Sequence, residues 1–177
     1  MNSFLKICIL FLVFSVNISL VYAKQSLRKN RIHQEALSAA KKGDYGVAYR
    51  KWLSLAKNGN TDAQYNIATM YIRGDGLQKN NKLSLYWFLQ AAKRGHVESQ
   101  FMLGKIYYDG ISVRRSYTKS FAWLHKAAKQ GHSKARNNLA LMYYHGRGVK
   151  KDLGKAFKWS LKVSENNLIS TEHPLGQ

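Results

Sequence analysis

The chain repeats itself every 36 residues, so that the same residue types return to the same positions three times. A tyrosine column, two glycine columns and a tryptophan column show this, at Tyr71, Tyr107 and Tyr143, at Gly74, Gly110 and Gly146, at Gly59, Gly95 and Gly131, and at Trp87, Trp123 and Trp159. A unit this short cannot bury its own apolar face, so its copies must stack to form a core. The period therefore predicts a solenoid, and it favours holding a partner over converting a substrate.

Each repeat is predicted to contain two helices, of which the first is helix A. In residues 63–98, Ala63, Ile67, Ala68 and Tyr71 lie at helical spacing on one face. Helix A ends where Gly74 can adopt the left-handed conformation that closes a helix.

Helix B is predicted to begin each time at a residue whose side chain accepts a hydrogen bond from the free amides of a helix start. These residues are Asp44, Asn80, Ser116 and Asp152. In the same repeat, Leu83, Trp87 and Ala91 form the predicted buried stripe of helix B, and Gly95 closes it.

Both ends of the array depart from this pattern. Upstream, the apolar stripe of residues 35–42 predicts a half-repeat that caps the N-terminal side. Downstream, Asn167 replaces the closing glycine, and the polar stretch at 166–177 is predicted to be a flexible tail. The predicted solenoid domain covers 35–165, with repeats at 63–98, 99–134 and 135–170.

The first 23 residues have the composition of a secretion signal. Lys6 precedes an apolar run from Ile7 to Val16, and Ala23 ends a small-residue cleavage site. We expect cleavage there, an N-terminal segment at 24–34, and export to the periplasm or beyond. An uncleaved anchor is the alternative. The only cysteine, Cys8, lies in the signal, so the exported protein would form no disulfide.

The chain is strongly basic, with 29 Lys and Arg against 9 Asp and Glu and a formal charge of +20. Loss of Lys6 with the signal would leave a charge of +19. Such a field attracts acidic proteins, phospholipid headgroups and anionic envelope polymers. Nucleic acid is an unlikely partner outside the cytosol.

The repeat resembles the Sel-1-like repeat of the tetratricopeptide-like solenoids. The residues that carry the resemblance are the run Ala63 to Ala68 with Tyr71, Gly74, Gly76, Leu77, Trp87, Ala91, Ala92, Gly95 and His96, and in the third copy Ala135 to Leu141, Tyr143, Gly146, Gly148, Val149, Ala156 and Trp159. The middle copy has Ser112 where a second glycine is usual, so its Ile111–Ser112 turn is expected to differ in shape. The predicted fold is an all-α, right-handed α-solenoid of about three 36-residue helix-turn-helix repeats with an N-terminal half-repeat cap.

The resemblance implies a non-enzymatic scaffold for a protein or peptide partner, active in bacterial envelope or host-contact processes. A cysteine-rich branch of the family is associated with β-lactam binding and hydrolysis. This chain lacks the paired cysteines of that branch, so the activity is not carried over.

In a tetratricopeptide-like stack the A helices line a concave groove, and helical spacing indicates which side chains face it. These are Tyr65, Thr69, Ile72, Arg73, Phe101, Lys105, Tyr108, Asp109, Asn137, Leu141, Tyr144 and His145. Aromatic side chains with scattered polar groups suit the docking of a peptide or helix. Alternatively, Tyr65 and Phe101 are partly buried spacers.

Positive charge recurs in the connections from helix A to helix B, in a predicted basic ridge along one edge of the solenoid. Its members are Lys79, Arg114, Arg115, Lys150 and Lys151. The ridge could bind an anionic polymer or lipid headgroups. The alternative is that these cations belong to solvated loops of a lysine-rich chain, since surface charge usually serves solubility.

No catalytic, metal or cofactor site is predicted. Ser-x-x-Lys occurs at 26–29, 38–41 and 116–119, but without the other elements of serine acyl enzymes. His96 and His132 follow closing glycines, and no carboxylate or cysteine stands near them at a ligand spacing. A capping or solvated role is expected for both histidines.

Overall fold

In a computed structural model, the chain is described for the backbone of residues 3–171 and, within it, for the side chains of residues 14 and 16–163. This part of the chain is all-α and contains eight helices. They are α1 (Ser3–Lys41), α2 (Tyr45–Lys57), α3 (Thr61–Arg73), α4 (Asn81–Lys93), α5 (Val97–Asp109), α6 (Tyr117–Lys129), α7 (Ser133–His145) and α8 (Leu153–Thr171). The predicted all-α repeat solenoid is confirmed.

The helices stack in chain order. Each packs mainly on the helix before it and the helix after it, so α3, α5 and α7 are successive A helices and α4, α6 and α8 are their B helices. Successive A helices therefore meet through the B helix between them. This arrangement leaves a cleft between α1 and α3 and another between α5 and α7, each with a B helix as its floor.

The predicted helix ends are largely confirmed. Helices α3, α5 and α7 end at Gly74, Gly110 and Gly146, whose φ angles of 82°, 77° and 70° lie in the left-handed region. At the predicted starts of helix B, the side chains of Asn80, Ser116 and Asp152 accept backbone N–H groups. Asp44 precedes α2, but its side chain makes no capping hydrogen bond.

The buried stripe of helix B is displaced by one residue from the prediction. Leu83 is 39% exposed and was wrongly placed, whereas Phe88 is fully buried. Ala91 and Ala92 both face the core. Phe88 lies three and four residues before them and Ser84 lies four residues before Phe88, so these four residues share one face of the helix. Trp87 lies at the edge of this face, partly buried between two core clusters.

The turn of the middle repeat keeps the conformation of its counterparts. Ser112 has a φ of 59°, close to the 66° of Gly76 and the 71° of Gly148. The expectation of a different shape is therefore wrong. Gly76 lies against the Cβ of Tyr45, and Gly148 lies against the backbone carbonyl of Tyr117, so a Cβ at either glycine would overlap the tyrosine. The counterpart of both tyrosines in the middle repeat is Asn81.

A complete helix pair stands where the sequence predicted an N-terminal half-repeat. The end of α1 packs on α2, and Ala36 and Ala39 join Ala48 and Trp52 in one core cluster. The pair forms because the stripe before Gly43 supplies an A helix and the segment after Asp44 supplies its B helix.

The segments outside the stack are α1 before Ile32 and the end of α8. No described side chain before Ile32 belongs to a core cluster. Within the described part of the chain, no helix combines the length and apolar character that crossing a membrane requires. Helix α8 continues to Thr171, so residues 166–171 of the expected tail are helical, and 172–177 lie outside the described residues.

Candidate binding clefts on the A-helix face

A cleft of about 290 Å³ lies between α5 and α7. Leu124 of α6 forms its floor, and Leu141 and Met142 of α7 supply most of the apolar wall. The full lining is Lys105, Tyr108, Asp109, Leu124, Asn138, Leu141 and Met142. Apolar walls with a few polar groups at the rim are typical of sites that take a side chain of a ligand. We call this the α5/α7 cleft.

A second cleft of about 270 Å³ lies two repeats earlier, between α1 and α3. It contains Met70 and Asn66, which stand 72 residues before Met142 and Asn138 of the α5/α7 cleft. Trp52 takes the place of Leu124 on the floor. The same positions line both clefts, so the clefts follow from the stacking of A helices over B helices.

The two clefts contain half of the residues that the sequence assigned to the groove. Lys105, Tyr108, Asp109 and Leu141 line the α5/α7 cleft. Thr69 and Arg73 line the α1/α3 cleft.

Of the remaining groove residues on α7, Tyr144 is 54% exposed, and its ring meets the ring of His145 edge to face at 4.9 Å. His145 is also exposed, at the last residue of α7. These two residues extend the accessible surface at the C-terminal end of the helix.

Two of the predicted groove residues, Phe101 and Tyr65, are packing residues, and a third, Ile72, lies outside both clefts. Phe101 is only 7% exposed, and its ring stacks on His132 with centroids 4.3 Å apart. Tyr65 is half-buried, with its ring 5.1 Å from His96. Ile72 is half-buried and lines neither described cleft. The spacer interpretation of Tyr65 and Phe101 therefore fits, because each packs against the histidine that caps the next A helix.

The α7 side of the cleft is rotated by one residue from the prediction. Asn138 lines the α5/α7 cleft, whereas Asn137 is exposed outside it. One residue along a helix turns the side chain by about 100°. Asn138 lies three and four residues before Leu141 and Met142, and this spacing is the signal that could have identified it.

Basic side chains rest on tyrosine rings at the C-terminal lip of the α5/α7 cleft. Arg147 donates a hydrogen bond to the hydroxyl of Tyr108. Its guanidinium carbon lies 5.8 Å from the centre of the Tyr108 ring and 5.9 Å from that of Tyr117. Arg115 lies 5.3 Å from the same Tyr117 ring, and Lys151 lies 5.9 Å from the ring of Tyr144. Contacts of this kind hold a cation by its attraction to the ring face.

The predicted ridge follows the ends of the A helices. A Cβ built on Gly110 would lie 3.1 Å from the Cβ of Arg115, and one on Gly146 would lie 3.3 Å from that of Lys151. These cations therefore lie at helix C-terminal ends, where positive charge is stabilising. All five ridge residues, Lys79, Arg114, Arg115, Lys150 and Lys151, are exposed.

The side chains with shifted pKa values lie outside both clefts. Burial and the neighbouring Tyr49 hydroxyl raise the pKa of Tyr71 to about 12. Burial lowers the pKa of His96 against the opposing effect of the carboxylates of Asp62 and Glu98. Burial and then Lys129 lower the pKa of His125. These groups are therefore explained by packing within the stack.

His96 and His132 are capping residues, as the sequence suggested. Their Nδ1 atoms accept the backbone N–H groups of Ser99 and Ala135, each at 3.1 Å. Among the described residues, no three His, Cys, Asp or Glu side chains gather as a metal-binding group would require.

Sequence reasoning missed two residues at the lip, Arg147 and Tyr117. Arg147 stands between two glycines in a turn, and Tyr117 opens α6, so neither belongs to a helical stripe of the groove. No local pattern brings them together. Their contact depends on how the turn after α7 crosses the start of α6.

The chain is similar to known proteins in sequence pattern and in structure. The family model of the Sel1 repeat matches residues 61–96, 97–132 and 133–168. The crystal structure of a Sel1 repeat protein from Oxalobacter formigenes is similar, with 28% identity and a TM-score of 0.72 over 75% of this chain and 55% of that chain. A protective antigen present in uropathogenic Escherichia coli strains, which displays an SLR fold, is 30% identical, with a TM-score of 0.65 over 67% of this chain and 25% of that chain.

The chain thus spans about half of the Oxalobacter protein and a quarter of the Escherichia coli protein. No curated protein matches it.

Proposed function

Because the chain belongs to the Sel1 repeat family, whose members are generally protein-interaction scaffolds, we propose that it is a non-enzymatic scaffold that binds a protein or peptide partner on its A-helix face. The observation that carries the proposal is the pair of equivalent clefts, α1/α3 and α5/α7. Both are accessible, both have an apolar floor, and both have polar groups at the rim. A partner that lies along the A helices would place side chains in them.

Exposed aromatic area beside the α5/α7 cleft supports this face as the binding surface. Tyr108 lines the cleft, and Tyr144 and Leu141 are exposed next to it, Leu141 at 58%. Tyrosine supplies contact area at a low cost in side-chain entropy and is enriched among residues that dominate binding energy.

The test is affinity capture from cell-envelope extract and culture supernatant, with the protein expressed from its own leader as bait. Substitution of Tyr108 and Tyr144 by alanine should abolish capture of a discrete partner. The matched control is Tyr86→Ala, because Tyr86 is 50% exposed, close to the 54% of Tyr144, but lies on a B helix. Undiminished capture by the groove variant, with its unfolding transition unchanged, would reject the A-helix face.

The proposal includes export by a cleaved signal at residues 1–23, to the periplasm or beyond, with a role in the envelope or in host contact. It is supported by the absence of described core residues before Ile32, which means that cleavage after Ala23 would leave the core clusters intact. The description of the Escherichia coli relative as a protective antigen is consistent with this location. N-terminal sequencing of the protein from the culture medium and from the periplasm tests both points.

A second candidate function is electrostatic attachment to an anionic envelope polymer or lipid through the basic ridge. The exposure of all five ridge cations favours it. Binding through exposed charges weakens as salt shortens the screening length, from about 10 Å at 0.1 M to about 3 Å at 1 M. Material that is retained at high salt therefore supports the clefts, and material that is lost supports the ridge.

A further inference from the structure

We infer that the α5/α7 cleft and its lip bind an acidic peptide segment, in which an apolar side chain enters the cleft and a nearby carboxylate pairs with Arg115 and Arg147. This inference rests on the proposed function and names the chemistry of the partner.

The lip has unpaired positive charge. Among the described residues, the ion pairs involve Glu35, Asp62, Glu98 and Asp152, and none of them includes Arg115, Arg147 or Lys151. Arg147 instead bonds the neutral hydroxyl of Tyr108. The three cations at the lip are thus free to take carboxylates from another molecule.

The two arginines are also held in place before a ligand arrives. Both guanidinium carbons lie within 6 Å of the centre of the Tyr117 ring, and Arg147 is fixed further by Tyr108. A guanidinium that is already oriented loses less side-chain entropy on binding, and it can donate two parallel N–H hydrogen bonds to the two oxygens of a carboxylate. Positioned arginines therefore favour a discrete carboxylate over a diffuse anionic surface.

The lining of the cleft divides the site into two parts. Lys105 and Asp109 both line the cleft and offset each other in charge, whereas the floor at Leu124 and the wall at Met142 are apolar. An apolar side chain is therefore the favoured occupant of the cleft, and the carboxylate of the ligand belongs at the lip.

Tyr108 sets the spacing between the two parts. Its ring lines the cleft and its hydroxyl accepts from Arg147, so cleft and lip are separated by one side chain. An extended peptide advances about 3.3 Å per residue. The apolar residue and the acidic residue of the ligand should therefore stand within about three positions of each other.

The test is selection from a random-peptide display library on the immobilised protein, followed by fluorescence anisotropy with the selected peptides. We expect enrichment of Asp or Glu within three positions of Leu, Ile, Met or Phe. Arg115→Gln and Arg147→Gln should each weaken binding of a selected peptide by about tenfold, as for loss of a charge-assisted hydrogen bond. A peptide with its acidic residues changed to Gln or Asn should bind weakly to the wild type and be insensitive to Arg147→Gln.

The matched controls are Arg114→Gln and Lys79→Gln, which remove the same charge from the ridge but carry no tyrosine-ring contact among the described residues. They should change the affinity less than about twofold. Equal losses of peptide affinity in all four variants would show that binding depends on the overall positive charge and not on the two positioned arginines, and would overturn the inference. Unfolding curves of each variant identify any loss that comes from the fold.

The remaining outcomes separate this inference from the proposed function. Enrichment of apolar peptides without acidic residues would leave the A-helix face as a binding site and overturn the acidic ligand. No enrichment at all would count against both. Phosphatidylglycerol vesicles are the last probe. If no peptide is selected, and if the wild type binds these vesicles while Arg115→Gln and Arg147→Gln do not, the lip is a lipid site and the peptide inference is overturned.

Discussion

His132 joins two repeats through Glu98. Its Nδ1 accepts the N–H of Ala135 at the start of α7, while its Nε2 lies 3.0 Å from Oε2 of Glu98 in the preceding repeat. A nitrogen that accepts a backbone N–H carries no proton, so Nε2 holds the hydrogen and donates it to the carboxylate. His96 repeats the arrangement with Ser99 and Asp62. One imidazole thus caps a helix and connects neighbouring repeats.

The cap and the connection can be separated with a residue that the chain already uses. In the first repeat Asn60 caps α3 by accepting the N–H of Ala63 at 2.8 Å. His132→Asn should therefore keep the cap and lose the bond to Glu98, whereas His132→Ala should lose both. We expect the alanine variant to be less stable than the asparagine variant by about 1 kcal/mol, the typical value of a cap. Urea unfolding measures the difference, and equal stability of the two would show that the cap contributes nothing.

The stability of the stack should fall as the medium is acidified, through His96. Burial holds the pKa of His96 below its usual value of 6.5. The unfolded chain consequently binds more protons than the folded one as the pH falls through 6.5, and the free energy of unfolding falls with it. A proton on Nδ1 would also remove the cap of α5. The contribution of the uncharged His96 to the free energy of unfolding is fully present above pH 6.5 and is lost as the pH falls below it.

His96→Asn is the control for this pH dependence, because asparagine caps without titrating. The difference in unfolding free energy between wild type and variant should shrink as the pH is lowered from about 8 to about 5.5. His125 titrates in the same direction in both proteins and cancels in the difference. Glu35 and Asp152, whose pKa values are lowered by Lys51 and Lys155, act only at more acidic pH. A constant difference across the range would contradict the role of His96.

The period and the helix ends could be predicted because their signals are local. Gly110 ends α5 and Ser116 starts α6 through contacts within a few residues of themselves. The pairing of His132 with Glu98 could not be predicted, because the two residues are 34 positions apart in the sequence and meet only when the repeats stack. The sequence showed no carboxylate at a ligand spacing from either histidine, yet the preceding repeat places one beside each.

The faces of the helices were predictable only to within one residue. An apolar stripe defines a face about 100° wide, and the same angle separates consecutive residues. Leu83 was predicted on the buried stripe where Ser84 lies, and Asn138 lines the α5/α7 cleft one residue after the predicted Asn137. The lip of the α5/α7 cleft lay outside this reasoning, since Arg147 belongs to a turn.

The second glycine of the turn from helix A to helix B, Gly76 or Gly148, is replaced by Ser112 in the middle repeat. Gly148→Ala should lower the stability by about 2 kcal/mol or more, because it adds a strained φ to an overlap of the new Cβ with the carbonyl of Tyr117. Ser112→Gly relieves the same strain at the equivalent position. It should leave the stability unchanged or raise it by up to about 1 kcal/mol. Thermal unfolding of both variants measures whether each substitution lowers or raises the stability. A stabilising effect of Gly148→Ala would contradict the packing of Tyr117 on this turn.

The register of helix B can be tested by alanine substitutions at two neighbouring positions. Phe88 is completely buried and packs with Ala68 and Leu103 from the A helices on either side of α4. Phe88→Ala should therefore cost about 3–5 kcal/mol, since it leaves a cavity that two repeats share. Leu83→Ala, on the exposed side of the same helix, should cost less than about 0.5 kcal/mol. Equilibrium unfolding in urea gives both values, and a reversed order would restore the stripe of Leu83 and Trp87. Since Trp52 and Leu124 occupy the position of Phe88 in the neighbouring repeats and form the floors of the two clefts, this column also sets the depth of both clefts.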